Sequence, residues 1–180
     1  MAPRPLQLSA EQLHEVFLGA LGGRVTSHST TSAKPLEVDL VAPLPSHVRV
    51  YLYNATHPPG GRTMGEHKVQ LMLPGQLRGE RANFDHSGGR IVLLAGYEAE
   101  MGVFVLWDAG LYRNFPFSRN VQVKAETIYE AYATGLALQE RRLWGHDKEI
   151  LIAAFAPRLA DAIHMRTGLS LTRLLEEGHA

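Results

Sequence analysis

Cysteine is missing from all 180 residues, so no disulfide framework, thiolate metal site or thiol nucleophile can exist in this chain. Net charge is also missing: 18 Lys and Arg offset 18 Asp and Glu, and the overall balance gives no electrostatic pointer to a partner. No apolar run approaches the roughly 20 residues that a membrane-spanning helix requires. The opening Met-Ala-Pro-Arg-Pro lacks the apolar stretch of a secretory signal, which leads to the expectation of a cytoplasmic protein. Internal repeats, low-complexity segments and interdomain linkers are absent as well. Nine histidines are spread along the chain with no i, i+4 pair and no ligand motif, which argues against a metal site.

What remains is the composition of an ordinary globular domain, 45% hydrophobic and 20% charged, and long enough to bury a core. Ser9 and Gln12 form a capping box ahead of Leu13, Val16 and Phe17, so a helix opens the chain and Gly22-Gly23 closes it. Residues 24–35 read as a loop. Alternation predicts strands over 36–41 and 48–53, and Pro58-Pro59-Gly60-Gly61 predicts a turn. Further strands are expected over 69–73, 91–97, 103–107 and 120–124, with a tight turn at 98–102. Ile128, Ala131, Tyr132, Leu136 and Leu143 have helical spacing, which predicts a helix over 127–142. Residues 149–155 fit a last strand or a helix entry. Pro157 suits a helix start, Gly168 its end, and Ser170 the cap of a final short helix. The order implies an α+β fold: a mixed, largely antiparallel sheet flanked by helices at the N- and C-terminal ends.

The unusual stretch is Trp107–Lys124, where Tyr112, Phe115, Pro116 and Phe117 stand beside Arg113 and Arg119 in what reads as a loop. Rings, proline and arginines together suggest a surface for something both apolar and anionic. Residues 61–124 hold eight Lys and Arg against six acids, whereas residues 125–180 hold six against eight. Arg62, Lys68, Arg119, Asn120, Gln122 and Lys124 are the residue types that contact phosphates and base edges. A competing reading is a metal-dependent nuclease, with Glu66 and Lys68 on one strand face and Asp85 or Asp108 as a second carboxylate. Its weakness is the lack of an acidic residue on a strand shortly before Glu66.

Four blocks in order carry a resemblance. They are Tyr53–Arg62 with Glu66-His67-Lys68, then Asn83–Arg90, Val105–Tyr112 and Ser118–Lys124. Together they resemble the DNA sulfur-binding domain of McrA-like type IV restriction proteins, over roughly residues 8–166. That family recognises double-stranded DNA in which sulfur replaces a non-bridging phosphate oxygen. The resemblance implies one binding domain over 1–180, with HNH nuclease chemistry in a separate C-terminal domain, and no catalytic residue, cofactor or metal here. It implies a sulfur cavity formed by Tyr112, Arg113, Phe115, Pro116 and Arg62, although Arg113 stands where the family has proline. It further implies DNA contacts from Gly61, Arg62, His67, Lys68, Arg78, Ser118, Arg119, Asn120, Gln122 and Lys124.

Overall fold

The computed structural model describes residues 4–57, 65–145 and 147–179. In chain order these form α1 (Ala10–Leu21), β1 (Val25–His28), β2 (Leu36–Leu40), β3 (His47–Asn54), β4 (Glu66–Leu71) and β5 (Arg81–Ala82). Next come β6 (Ile91–Glu98), β7 (Val103–Trp107), β8 (Phe115–Pro116) and β9 (Arg119–Lys124). The chain ends with α2 (Ala125–Thr134), β10 (Leu136–Arg142), β11 (Lys148–Phe155) and α3 (Leu159–Gly178). Seven strands make one sheet in the order β1-β2-β3-β6-β7-β11-β10, antiparallel throughout except for the β3–β6 pair. Two small ribbons, β4–β9 and β5–β8, stand apart from it. The architecture is α+β with helices at both ends, as the element order implied.

The central strands are covered on both faces, so they read as continuous apolar runs, and all five residues of β7 are buried. Their two-residue period divides the core in two. Phe104, Leu106 and Ile152 face α1 and α3, where Leu13, Phe17, Ala162 and Ile163 meet them. Val105, Trp107, Leu151 and Ala153 face the other way, onto the β4–β9 ribbon and α2 through Val69, Val121, Val123 and Ile128. Gly96 on β6 allows the ribbon to come close. A Cβ there would lie 2.8 Å from Val69 Cγ1 and 3.1 Å from the Trp107 ring.

The capping box of α1 forms as expected, with Ser9 accepting from the Gln12 N–H and Gln12 accepting from the Ser9 N–H. Several expectations are corrected. Residues 25–28, read as loop, form the edge strand β1; three of its four residues are exposed, so it has no apolar alternation to betray it. The helix expected over 127–142 stops at Thr134, where Gly135 turns with φ +96° and donates its N–H to Ala131 O. Residues 136–142 are good helix formers, yet all seven pair with β11, and a full ladder outweighs local propensity. The break expected at Gly168 does not occur, because α3 runs on for 20 residues. A helical glycine costs only about 1 kcal/mol relative to alanine. Ser170 caps nothing; it accepts from Arg166 Nε at 3.1 Å within the continuous helix. Residues 149–155 are strand, and β4 begins three residues before its expected start.

Candidate nucleic-acid interface

The ribbon β4–β9 gathers most of the polar residues singled out above. Its register pairs Glu66 with Lys124, Lys68 with Gln122, and Gln70 with Asn120. These six face outward. The intervening pairs, His67 with Val123, Val69 with Val121 and Leu71 with Arg119, face the sheet. Strict alternation thus puts Lys68, Asn120, Gln122 and Lys124 in one outward array. The same alternation corrects the expectation for His67, which is 6% exposed and turned inward.

The ribbon is tied down from behind. The Gln122 carbonyl accepts from Trp107 Nε1 at 3.2 Å and from Arg141 Nη1 at 2.8 Å. Gln139 Oε1 accepts the Lys124 N–H at 2.9 Å, and Thr56 exchanges two backbone hydrogen bonds with Lys68. These bonds occupy backbone, so the outward side chains keep their donors and acceptors for a ligand. Lysine is a compact point charge suited to phosphate, while Asn and Gln can bond adenine with two contacts. A two-stranded ribbon is also of a size that the DNA major groove admits.

The loop after β7 departs from its expected presentation. Tyr112 is 1% exposed and Phe115 0%, so neither ring is offered to a ligand. Phe115 packs on Phe84, which packs on Tyr51, with ring centroids 4.9 and 4.7 Å apart. The rings turned inward because β8 pairs with β5 and carries Phe115 under it, while Pro116 next in line points to solvent. Arg113 and Asn114 are exposed, and Phe117 and Ser118 are half-buried. Asn114 and Ser118 both adopt positive φ, 47° and 59°, marking the two bends that shape this loop. Arg78 is exposed on the preceding loop. Gly61 and Arg62, with the Pro58-Pro59-Gly60-Gly61 turn, lie outside the described residues.

Beneath the loop lies a charged network that no local motif announces. The Tyr112 hydroxyl donates to Glu149 Oε2 at 2.7 Å and accepts from Arg141 Nη2 at 3.1 Å. Arg141 Nε also donates to Glu149 Oε2 at 3.0 Å, and Glu149 Oε1 accepts the Asp108 N–H. Burial pushes the Glu149 carboxyl up from its ordinary value, against the pull of Tyr112 and Arg141. Burial, then the neighbouring Glu149 charge, pushes the Tyr112 phenol far up. Asp108 in turn binds Arg173 through two contacts, 2.7 and 3.2 Å, with Arg166 at 3.6 Å. Sequence reading missed Glu149, Arg141, Arg166 and Arg173, because β7, β10, β11 and α3 meet only in the folded sheet. Their signal is the oddity of charged residues inside otherwise apolar strand and helix faces.

The residues of the nuclease reading are dispersed. Glu66 and Lys68 share the outward face of β4. Asp85 instead accepts from Ser87 and pairs with Arg49 at 3.4 Å, and Asp108 is committed to Arg173. Among the described residues there is no group of three or more His, Asp or Glu side chains that could hold a metal ion. No described helix is long and apolar enough to cross a membrane.

Comparison with curated proteins gives no match, and neither does comparison with solved structures. A family model does match, over residues 46–163, which runs from β3 into the start of α3 and takes in the ribbon, the loop and the Tyr112, Arg141, Glu149 and Asp108 part of the charged network. The chain belongs to the Methylase-associated X1 family.

Proposed function

We propose that this chain is a non-catalytic module that binds double-stranded DNA carrying phosphorothioate linkages, as the targeting unit of a modification-dependent restriction system. The observation that carries the reading is the outward array of Lys68, Gln70, Asn120, Gln122 and Lys124 on a ribbon held rigidly from behind. Family membership supports the setting, since a methylase-associated domain hints at a role in restriction and modification.

In this reading the sulfur lies against exposed Pro116 and half-buried Phe117, at the point where Ser118 and Arg119 lead into β9. Tyr112 and Phe115 act from beneath by shaping the loop. Sulfur burial by itself discriminates weakly: about 30 Å² at about 25 cal/mol/Å² gives under about 1 kcal/mol. Rejecting oxygen is the larger effect. An ordinary phosphate oxygen pressed onto an apolar wall loses water without gaining a donor, at a cost of about 1–3 kcal/mol. Lysine contacts then supply affinity for any duplex, and the wall supplies the preference.

The test is a titration with two duplexes of identical sequence, one carrying a single phosphorothioate, at two salt concentrations. The expected result is tighter binding to the sulfurated duplex and weaker binding of both at higher salt. Equal affinity for the two duplexes overturns the sulfur reading, and no affinity for either across a library of flanking bases overturns DNA recognition. Incubation with Mg²⁺ or Mn²⁺ should leave the DNA intact; cleavage abolished by Glu66→Gln would instead support a nuclease.

A further inference from the structure

Strand β10 ends the seven-stranded sheet and pairs with β11 alone. The Leu143 N–H donates to Asp147 O and the Phe155 N–H to Gly135 O. In that register the odd-numbered residues of β10 bond β11, and the even-numbered ones aim their N–H and C=O groups away from the sheet. Leu136 O accepts from the Thr134 hydroxyl, while the outward backbone groups of Leu138, Glu140 and Arg142 have no partner among the described residues. An edge of this kind is a template for another strand, and proteins commonly blunt it. The opposite edge, β1, is blunted: it has four residues and a register shift between Val25 and Ser27. By contrast β10 has seven residues, holds no proline and stays in unbroken register with β11.

We propose that β10 pairs antiparallel with β10 of a second copy of this chain, across a twofold axis at Arg141. The inference stands independently of the DNA reading. The order of side chains selects both the occupant and the register. Leu138, Glu140, Arg142 and, at the hairpin tip, Trp144 are exposed, running apolar, acidic, basic, apolar. Reversed, that order is its own complement. With Arg141 at the axis, Glu140 faces the partner's Arg142, Arg142 faces the partner's Glu140, and Leu138 meets the partner's Trp144. The outward backbone groups require an even-numbered residue opposite an even-numbered one. Centring on Glu140 or Arg142 would set like charges face to face, and centring on Gln139 would set both charges against leucines. Opposite charges across an antiparallel pair stabilise it, and like charges destabilise it. Arg142 has no carboxylate partner among the described residues, and Glu140 meets Lys148 through one oxygen only, at 2.9 Å. Arg141 is no obstacle at the axis, since its side chain lies on the other face and is neutralised by Glu149 at 3.0 Å. A twofold at the centre of an antiparallel pair is perpendicular to the sheet. It therefore keeps both β4–β9 ribbons on one face and presents two copies of the outward array together.

The test is the mass of the full chain in solution, measured by sedimentation velocity from micromolar to submillimolar concentration, with circular dichroism reporting the folding of each variant. No DNA is present, so the outcome bears on the dimer alone. The expected species has twice the 19.9 kDa mass of one chain. Glu140→Arg and Arg142→Glu each oppose like charges at two symmetric pairs, and each should weaken the dimer about tenfold. The two substitutions together exchange the charges and should restore it, which a merely structural role of either side chain would not do. A chain that stays at 19.9 kDa throughout overturns the pairing. So does a dimer that both single variants leave at full strength, or one that the folded double variant fails to restore.

Discussion

The guanidinium of Arg119 lies over the ring of Tyr112, with its central carbon 5.1 Å from the ring centroid. Arg119 is the first residue of β9, and the same tyrosine is hydrogen-bonded to Glu149 and Arg141 at its hydroxyl end. One buried ring therefore joins the start of the candidate DNA-binding strand to the charged network under the sheet. Tyr112 belongs to the foundation of the interface.

Tyr112→Phe keeps the ring under Arg119 but leaves Glu149 Oε2 with Arg141 as its one remaining side-chain donor. The expected loss is about 1–3 kcal/mol of stability, with the DNA preference unchanged. Tyr112→Ala also opens a cavity, costs about 3–5 kcal/mol and weakens duplex binding by freeing Arg119. Urea unfolding and duplex titration on both variants check the ordering; equal effects of the two would show that the ring plays no part.

Gly96→Ala places a methyl group 2.8 Å from Val69 and 3.1 Å from the Trp107 ring, inside the contact between sheet and ribbon. Overpacking of this kind costs about 1–3 kcal/mol. Because β4 must lift to relieve it, duplex affinity should fall along with the unfolding midpoint.

On the outward face, Lys68→Ala and Lys124→Ala should each weaken binding to all duplexes and reduce the salt slope by about 1. Gln122→Ala should leave the slope alone and instead blur discrimination among bases, by about 1–3 kcal/mol at one position. Titrations over several salt concentrations and flanking sequences separate the two behaviours.

Stability should fall on mild acidification. Burial lowers the pKa of His67, whose Nδ1 is a buried atom without a hydrogen-bond partner, and of His14, whose ring donates to Thr31 O at 2.6 Å. With folded-state values below the unfolded value of about 6.5, the unfolded chain binds more protons as pH drops past that point. The stabilisation is therefore complete above about pH 6.5 and declines below it, until the folded-state values are passed. Urea midpoints measured over this window check the sign, and His67→Gln should flatten part of the decline.

Much of the architecture was legible before folding was considered. The capping box of α1, the alternation in β2, β3 and β9, and the apolar runs of β6 and β7 each encode their element through local periodicity. Periodicity also sorted β9 correctly, since Asn120, Gln122 and Lys124 had to share one face. It failed at residues 136–142, whose helical spacing yields to pairing with β11, and at Tyr112 and Phe115, whose loop setting implied exposure. Both outcomes depend on partners distant in sequence: a complete strand ladder in one case, and Glu149, Arg141 and Phe84 in the other. The sequence by itself determined which residues could form each face, because side-chain direction follows from period. Only the tertiary structure decided which faces meet, because opposing β4 to β9, or burying Glu149 beside Tyr112, requires long-range contacts that no window of residues contains.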